Sequence, residues 1–396
     1  MSKKTDVVVI GGGAVGTATM YSLAKAGAKV ILVESGDLAE GTSGKCDGNI
    51  LVSDKKPGFD IMLAKKSQSM FPALTEELGF DIEWTQNGSL QLIENETEMK
   101  QAEDYAKALA ECGIPVRMLN QKEVREDEPL VSPHVIGGLE VQCDGSIQPM
   151  LLCFGYASAA RRLGAEVLNR TRVTSIERDS SGRVSKVVTT KGDILCDKIV
   201  NCAGVWAKEI GEMVGLDIPI KPRQGHILVA ERTFPVARRK VVEFGYLMAK
   251  FQGAAYKREV PPDVLEYAIA FVFEPTHSGN FLLGSSRRFV GFDTNAHYGV
   301  MKAQAGRAIH FFPVIKNINI IRTYVGLRPS TPDHMPIVSG TEIPGFYIAA
   351  GHEGDGIGLA PVSGDIITRL ITNKNLEMDI SPLAWRRFST GRAAAG

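Results

Sequence analysis

A short apolar strand at residues 7–10 runs straight into Gly11-Gly12-Gly13-Ala14-Val15-Gly16, and this junction limits what the chain can fold into more than any other stretch. Read as G-x-G-x-x-G, it is the phosphate-cradling turn of a βαβ unit. Gly11 allows the tight turn, Gly13 lets backbone approach a pyrophosphate, and Gly16 lets the next helix pack on its strand. The N–H groups at the helix start, around Ala14 and Val15, face the anion. Small and apolar spacing predicts a helix over 14–25, stopped by Gly27, and a second strand over 29–33 that ends in Glu34 and Ser35. Glu34 lies 18 residues past Gly16, where a carboxylate accepts hydrogen bonds from the ribose hydroxyls of an adenine dinucleotide.

Bulk properties narrow the class further. With 45 basic and 45 acidic residues, no whole-chain field attracts nucleic acid or anionic lipid. No apolar run approaches the roughly 18 residues of a membrane span, and the first four residues lead into a strand, not into a signal-peptide core, so a cytoplasmic protein is expected. The six cysteines, Cys46, Cys112, Cys143, Cys153, Cys196 and Cys202, include no C-x-x-C pair, so neither a zinc site nor an iron–sulfur cluster is expected. Cys46 alone falls in a Gly-rich loop near the expected cofactor, and the residues assign it no role.

After Glu34 comes a loop dense in small and hydroxyl residues, with Gly41-Thr42-Ser43-Gly44 and then Cys46-Asp47-Gly48-Asn49. Such a loop can return donors to a pyrophosphate or lie against a flat ring. A helix over 58–78, a hairpin over 82–93 around Asn87-Gly88, and helices over 96–112 and 122–128 follow. A helix over 150–163 and a strand over 166–173 come next. A β-meander with turns at 180–182 and 191–193 leads to the strand end at Cys202-Ala203-Gly204. From about 219 to 319 the pattern turns to β segments at 226–230, 243–250, 266–273 and 281–285, interrupted by a helix over 300–312. Alternation there suits an antiparallel sheet with one buried face. A strand over 322–326 precedes Leu327-Arg328-Pro329, and a strand over 346–350 runs into Gly351-His352-Glu353-Gly354-Asp355-Gly356-Ile357-Gly358 and a helix to about 370. That second Gly-rich strand-to-helix loop, at Gly354 to Gly358, can stabilise negative charge on a bound ring.

Taken together, the opening motif with Glu34, Cys202-Ala203-Gly204, Gly326-Leu327-Arg328-Pro329 and Gly351-His352 through Ala360-Pro361 resemble the D-amino-acid-oxidase-like flavoenzymes, which include glycine and sarcosine oxidases. Cys46 to Asn49, Gly245 to Lys250 and Phe271 to Arg288 resemble a subset, the FAD-bearing β subunits of proline, hydroxyproline and opine dehydrogenases and of hydrogen cyanide synthase. The resemblance implies an α/β chain: a Rossmann-like FAD-binding domain, mainly parallel sheet plus meander, and an α+β substrate domain on an antiparallel sheet. The FAD-binding domain is expected from residues 1–80, 140–215 and 320–385, the substrate domain from 81–139 and 216–319, and a flexible tail from 386–396. It further implies non-covalent FAD held by the residues above with Val173 and Gly326, oxidation of an amino-acid C–N bond to an imine, and a partner subunit carrying further redox centres.

Arg328 is then the expected carboxylate anchor, at the end of a strand and fixed by Pro329. Where relatives place a second Arg, two residues after the motif His, this chain has Gly354, which leaves the second anchor to Lys250 or Arg287. His352 can contact flavin or amine, or simply pack; Tyr246 and Phe273 are candidate pocket walls; Glu353 and Asp355 either meet a substrate ammonium or face solvent. Two other readings remain, an oxygen-dependent oxidase of glycine or sarcosine type working alone, and a flavin subunit with a mainly structural role.

Overall fold

In the computed structural model, which describes residues 3–252 and 255–389, the strand Lys3–Ile10 lies parallel to Val30–Val33 on one side and to Gly192–Asn201 on the other. Val7, Val8 and Val9 are fully buried, as a strand covered on both faces requires. The order across this sheet is Ile337–Gly340, Phe346–Ala350, Gly192–Asn201, Lys3–Ile10, Val30–Val33, Glu166–Leu168, and the antiparallel strands Val184–Thr189 and Val173–Arg178 extend from Gly192–Asn201 as the expected meander.

The helix Ala14–Lys25 packs on this sheet and against the helix Gly356–Ile371 from the far end of the chain. Both contacts are too close for side chains. A Cβ on Gly16 would lie 1.9 Å from the Gly11 carbonyl oxygen, and one on Gly364 would lie 2.9 Å from the backbone of Ala18. Inside the second helix Pro361 has no N–H to give. The Ser67 hydroxyl enters the ladder there, donating to the Gly358 carbonyl at 2.6 Å and accepting from the Val362 N–H at 3.4 Å.

A second sheet runs Ile320–Ser330, Lys221–Ala230, Phe281–Gly284, Val272–Pro275, Lys240–Glu243, Ser89–Ile93, Gly137–Val141, Val116–Asn120. Its pairs are antiparallel, except that Lys240–Glu243 and Ser89–Ile93 run parallel. The helix Tyr298–Phe311 closes one face, with Phe311 stacked on Phe271 at 4.6 Å between ring centroids. Phe273 belongs to this core, stacked on Phe281 at 4.5 Å, and does not line the large cavity described below. The α/β class holds. Among the described residues no helix is long and apolar enough to cross a membrane.

Several local expectations are corrected. Residues 58–78 form two helices, Phe59–Gln68 and Phe71–Leu78. The hairpin around Asn87-Gly88 does not form: Gly88, at φ +75°, turns the chain into the strand Ser89–Ile93, while Thr85 bridges to Ser146. Residues 243–250 are not a strand; Phe244–Gln252 is a helix, because Phe244, Leu247 and Met248 bury one face at helical spacing despite their aromatic-rich setting. Of residues 266–273, only the end enters the strand Val272–Pro275, after the short helix Pro262–Glu266. The strand Ile320–Ser330 pairs along Lys221–Ala230 and so belongs to the second sheet, not with the nucleotide-binding segments. The expected tail begins as the helix Arg386–Ser389, tied by Arg387 to Asp333 at 2.6 Å, and residues 390–396 lie outside the described residues.

Gly48 joins the loop after Glu34 to the strand Val272–Pro275 of the second sheet. The Gly48 N–H donates to both carboxyl oxygens of Glu274 at 3.0 and 3.1 Å, and a Cβ on Gly48 would lie 1.7 Å from the Ile147 carbonyl oxygen. Burial, reinforced by the Asp47 carboxylate and opposed by the Lys240 ammonium, pushes the Glu274 carboxyl well above the usual carboxylate range. The folded state therefore holds that proton more tightly than the unfolded chain, whose carboxyl titrates near ~4.3. The stability so gained is full below the unfolded value and is lost as pH rises through the folded one. Glu274→Gln, which keeps an accepting oxygen for Gly48 and no titration, should gain in Tm on the parent chain as pH rises from 5 to 9; parallel Tm profiles would contradict the protonated latch.

Candidate functional site

A cavity of about 1500 Å³, lined by residues of both sheets, runs from the glycine turn to Arg328. Every residue that the sequence singles out for cofactor contact lines it, except Gly16 and Gly48, which serve the close packing described above. Three strand ends deliver the wall: Lys3–Ile10 into Gly11, Gly13, Ala14 and Val15; Val30–Val33 into Glu34 and Ser35; Gly192–Asn201 into Ala203 and Gly204. Val173 lines it from the meander. The helices Ala14–Lys25 and Gly356–Ile371 both start at this cavity, so two sets of unpaired N–H groups and two helix dipoles favour negative charge there.

Donors in the turn are already partly ordered. The Ala14 N–H donates to Ser43 Oγ at 3.0 Å, which leaves the Ser43 hydroxyl proton to be given to a ligand. The Glu34 carboxylate accepts from the Gly12 N–H at 2.6 Å and the Gly36 N–H at 2.7 Å, so it is fixed at the strand tip with acceptor capacity to spare. Oδ1 and Nδ2 of Asn49 are buried without a hydrogen-bond partner among the described residues. A dinucleotide fits this wall: an anion cradle at one end, a fixed acceptor for ribose beside it, and orphaned amide groups further in.

The Thr42 to Cys46 loop is pinned to the strand Ile320–Ser330. The Thr42 hydroxyl donates to the Leu327 carbonyl, the Tyr324 hydroxyl donates to the Cys46 carbonyl at 3.1 Å, and a Cβ on Gly326 would lie 2.6 Å from the Lys45 carbonyl oxygen. Burial pushes the Cys46 thiol far up, so it stays a neutral packing group. All six cysteines are free thiols.

Arg223, Arg287 and Arg328 form an arginine cluster in the cavity wall. Arg328 lies within its strand, which continues through Pro329 to Ser330, instead of ending it. Its cross-strand partner in the register is Arg223, a residue that sequence reading misses. Arg328 Nη1 donates to the Ser286 carbonyl at 2.9 Å, and Gly225 makes room for the guanidinium, since a Cβ there would lie 2.1 Å from Nη1. Gly354 faces Arg328 too, its would-be Cβ 3.6 Å from Nε. Arg287 lies over the Tyr246 ring at 4.2 Å, so Tyr246 reaches the cavity from a helix and not from a strand. Burial, with the Arg287 and Arg223 cations, lowers the Arg328 guanidinium to about 10.

The remaining candidates are occupied by each other. Glu353 pairs with Arg223 at 2.8 Å and also holds Ser330 and His334, so it faces neither solvent nor an ammonium. Asp355 pairs with Lys55 at 2.8 Å, and Lys250 donates to the Asp54 carbonyl at 3.0 Å. His352 is buried with Nε2 bonded to Ser363 Oγ at 2.9 Å, and burial lowers it to about 4, so it is neutral at ordinary pH. Away from the cavity, Glu94, His134 and His310 bring possible metal ligands within 4.8 Å of one another, but Arg307 already holds the Glu94 carboxylate.

Comparison with known proteins places this architecture. A family model described as FAD dependent oxidoreductase matches residues 6–370. The hydrogen cyanide synthase subunit HcnC of Pseudomonas aeruginosa is 27% identical over 438 residues, spanning 100% of this chain and 99% of that protein. The glycine oxidase of Geobacillus kaustophilus is 27% identical, spanning 98% of each. The crystal structure of L-proline dehydrogenase from P. horikoshii superposes with a TM-score of 0.87 at 25% identity, over 99% of each chain. The chain thus belongs to the D-amino-acid-oxidase-like family of FAD-dependent oxidoreductases, enzymes that act on C–N groups of amino-acid-like substrates.

Proposed function

We propose that this chain oxidises the C–N bond of a secondary amino acid of proline, hydroxyproline or opine type to an imine, with Arg328 anchoring the substrate carboxylate, and passes the electrons to a partner subunit. The observation that carries the reading is the half-buried cluster of Arg223, Arg287 and Arg328 in the cavity wall. Bound FAD supplies the two-electron acceptor for the hydride that leaves the α-carbon. Gly11, Gly13, Ala14 and Ser43 would hold its pyrophosphate and Glu34 its ribose, while Asn49 and the Gly354 to Gly358 loop would supply donors to its ring.

The protein's own part is to bind, orient and exclude water. The three acid–base candidates that the sequence offers here are engaged: His352 is tied to Ser363, and Glu353 and Asp355 are held by Arg223 and Lys55. The amine therefore enters neutral, and rate comes from fixing the α-hydrogen against the acceptor by a carboxylate clamp at one end and packed walls at the other. Relatives named as subunits, HcnC and the sarcosine oxidase subunit beta of Arthrobacter sp, support a role within a complex.

Four outcomes test this reading. Gly13→Val should give a folded, colourless protein, since the position already has Ser43 Oγ 3.0 Å from a would-be Cβ and the extra branches fill the phosphate's space; stoichiometric FAD in that variant would remove the assignment. Arg328→Ala should lower kcat/KM about 10-fold to 150-fold, the worth of roughly 1.5 to 3 kcal/mol in a charge-assisted contact, with FAD content unchanged. Arg328→Lys should recover only part, because an ammonium cannot reproduce the planar fork. In stopped-flow mixing, flavin reduction by substrate should be much faster than reoxidation by air-saturated buffer; peroxide formed at the turnover rate would favour a lone oxidase instead.

A further inference from the structure

The arginine cluster carries more positive charge than one α-carboxylate requires. Arg223 is matched by Glu353 at 2.8 Å, whereas neither Arg287 nor Arg328 has a carboxylate within ion-pair distance among the described residues. Asp47 acts on Arg328 at longer range, and it shares its surroundings with the Lys240 cation beside Glu274. Two donors in the cluster, Nε of Arg223 and Nη1 of Arg287, are buried without any hydrogen-bond partner among the described residues. Like charges opposite one another on paired strands are destabilising, and buried donors left unmet add to the cost. A cluster of this kind suits more than one anionic group.

The same cavity holds a contrasting group. Lys55 sits between Asp54 and Asp355, and Lys250 also reaches Asp54, so two cations meet two carboxylates. That wall neutralises itself and needs no ligand charge. At the arginine cluster Arg287 lies 4.2 Å over the Tyr246 ring and cannot withdraw to solvent without losing that contact.

We propose that the substrate is a dicarboxylic amino acid, its α-carboxylate on Arg328 and a second carboxylate on Arg287 with Arg223. This rests on the C–N oxidation reading above and deepens it by naming the substrate class. The chemistry is shared by two sources, a carboxylate on the nitrogen substituent and one on the side chain, and matched pairs separate them. For the FAD-loaded protein under anaerobic conditions, flavin reduction is measured with iminodiacetate against sarcosine, and with N-methylaspartate against N-methylalanine.

At least one diacid should exceed its monoacid partner about 10-fold or more in second-order reduction rate, and Arg287→Met should bring that ratio below about 3. A ratio near one in both pairs, or a ratio that Arg287→Met leaves unchanged, would overturn the proposal while leaving C–N oxidation standing. If none of the four compounds reduces the flavin, the oxidation reading fails for these amines. The proposal is then decided by binding alone, from perturbation of the flavin absorption spectrum by succinate against butyrate: succinate tighter by about 10-fold supports it, and equal affinities overturn it. Should Arg287→Met lack FAD, the wild-type pairs decide without it.

Discussion

Between the first sheet and the C-terminal helix there is room for the helix Ala14–Lys25 only because hydrogen is the largest substituent at Gly11, Gly16 and Gly364. A Cβ at the first would lie 2.5 Å from the Cys202 carbonyl oxygen, and at the other two it would strike backbone. This three-way contact brings the ends of three strands and the starts of two helices into one place. The cavity is a product of that crowding: where backbones cannot be separated by side chains, their N–H groups converge on the same space. Close packing and anion affinity are two results of one constraint.

Electrostatics then divides the cavity wall. Against burial, which pulls it down, Asp355 and Asp54 hold the Lys55 ammonium well above its ordinary range. Burial removes charge from His352, whose Nε2 is bonded to Ser363 Oγ. The guanidinium cluster is the reverse case, with charge kept and, of its three members, only Arg223 in an ion pair among the described residues. A site arranged in this way selects ligands by where their negative charge lies, more than by any proton it gives or takes.

Much of this was legible in the sequence because it is local. Strand, glycine turn, helix, strand and Glu34 follow one another within a single unit, and Gly351 to Gly358 repeats the strand-to-helix junction, so spacing alone marks both. Arg223 was not legible. Its position opposite Arg328 is set by the register of two strands about a hundred residues apart, and nothing near Gln224-Gly225 marks it as a ligand residue. Tyr246 and Lys250 were found but given the wrong element, since Phe244, Tyr246 and Phe251 have strand-like composition while the buried positions follow a helix. The pairing of Ile320–Ser330 was missed for the same reason as Arg223: the strand could be seen, its neighbour could not.

The first sheet is assembled from distant parts of the chain, and this has a consequence for synthesis. Lys3–Ile10 pairs with Gly192–Asn201, which pairs in turn with Phe346–Ala350, and Ala14–Lys25 is covered by Gly356–Ile371. At roughly 5–20 residues per second, the nascent chain carries its first apolar strand for tens of seconds before the last partner leaves the ribosome. Through that interval Lys3–Ile10 can pair with Val30–Val33 and then with Gly192–Asn201, but Ala14–Lys25 lacks its cover, the helix Gly356–Ile371. The nucleotide-binding unit is therefore completed after translation has nearly ended, and its early strand is the segment a holding chaperone would meet first.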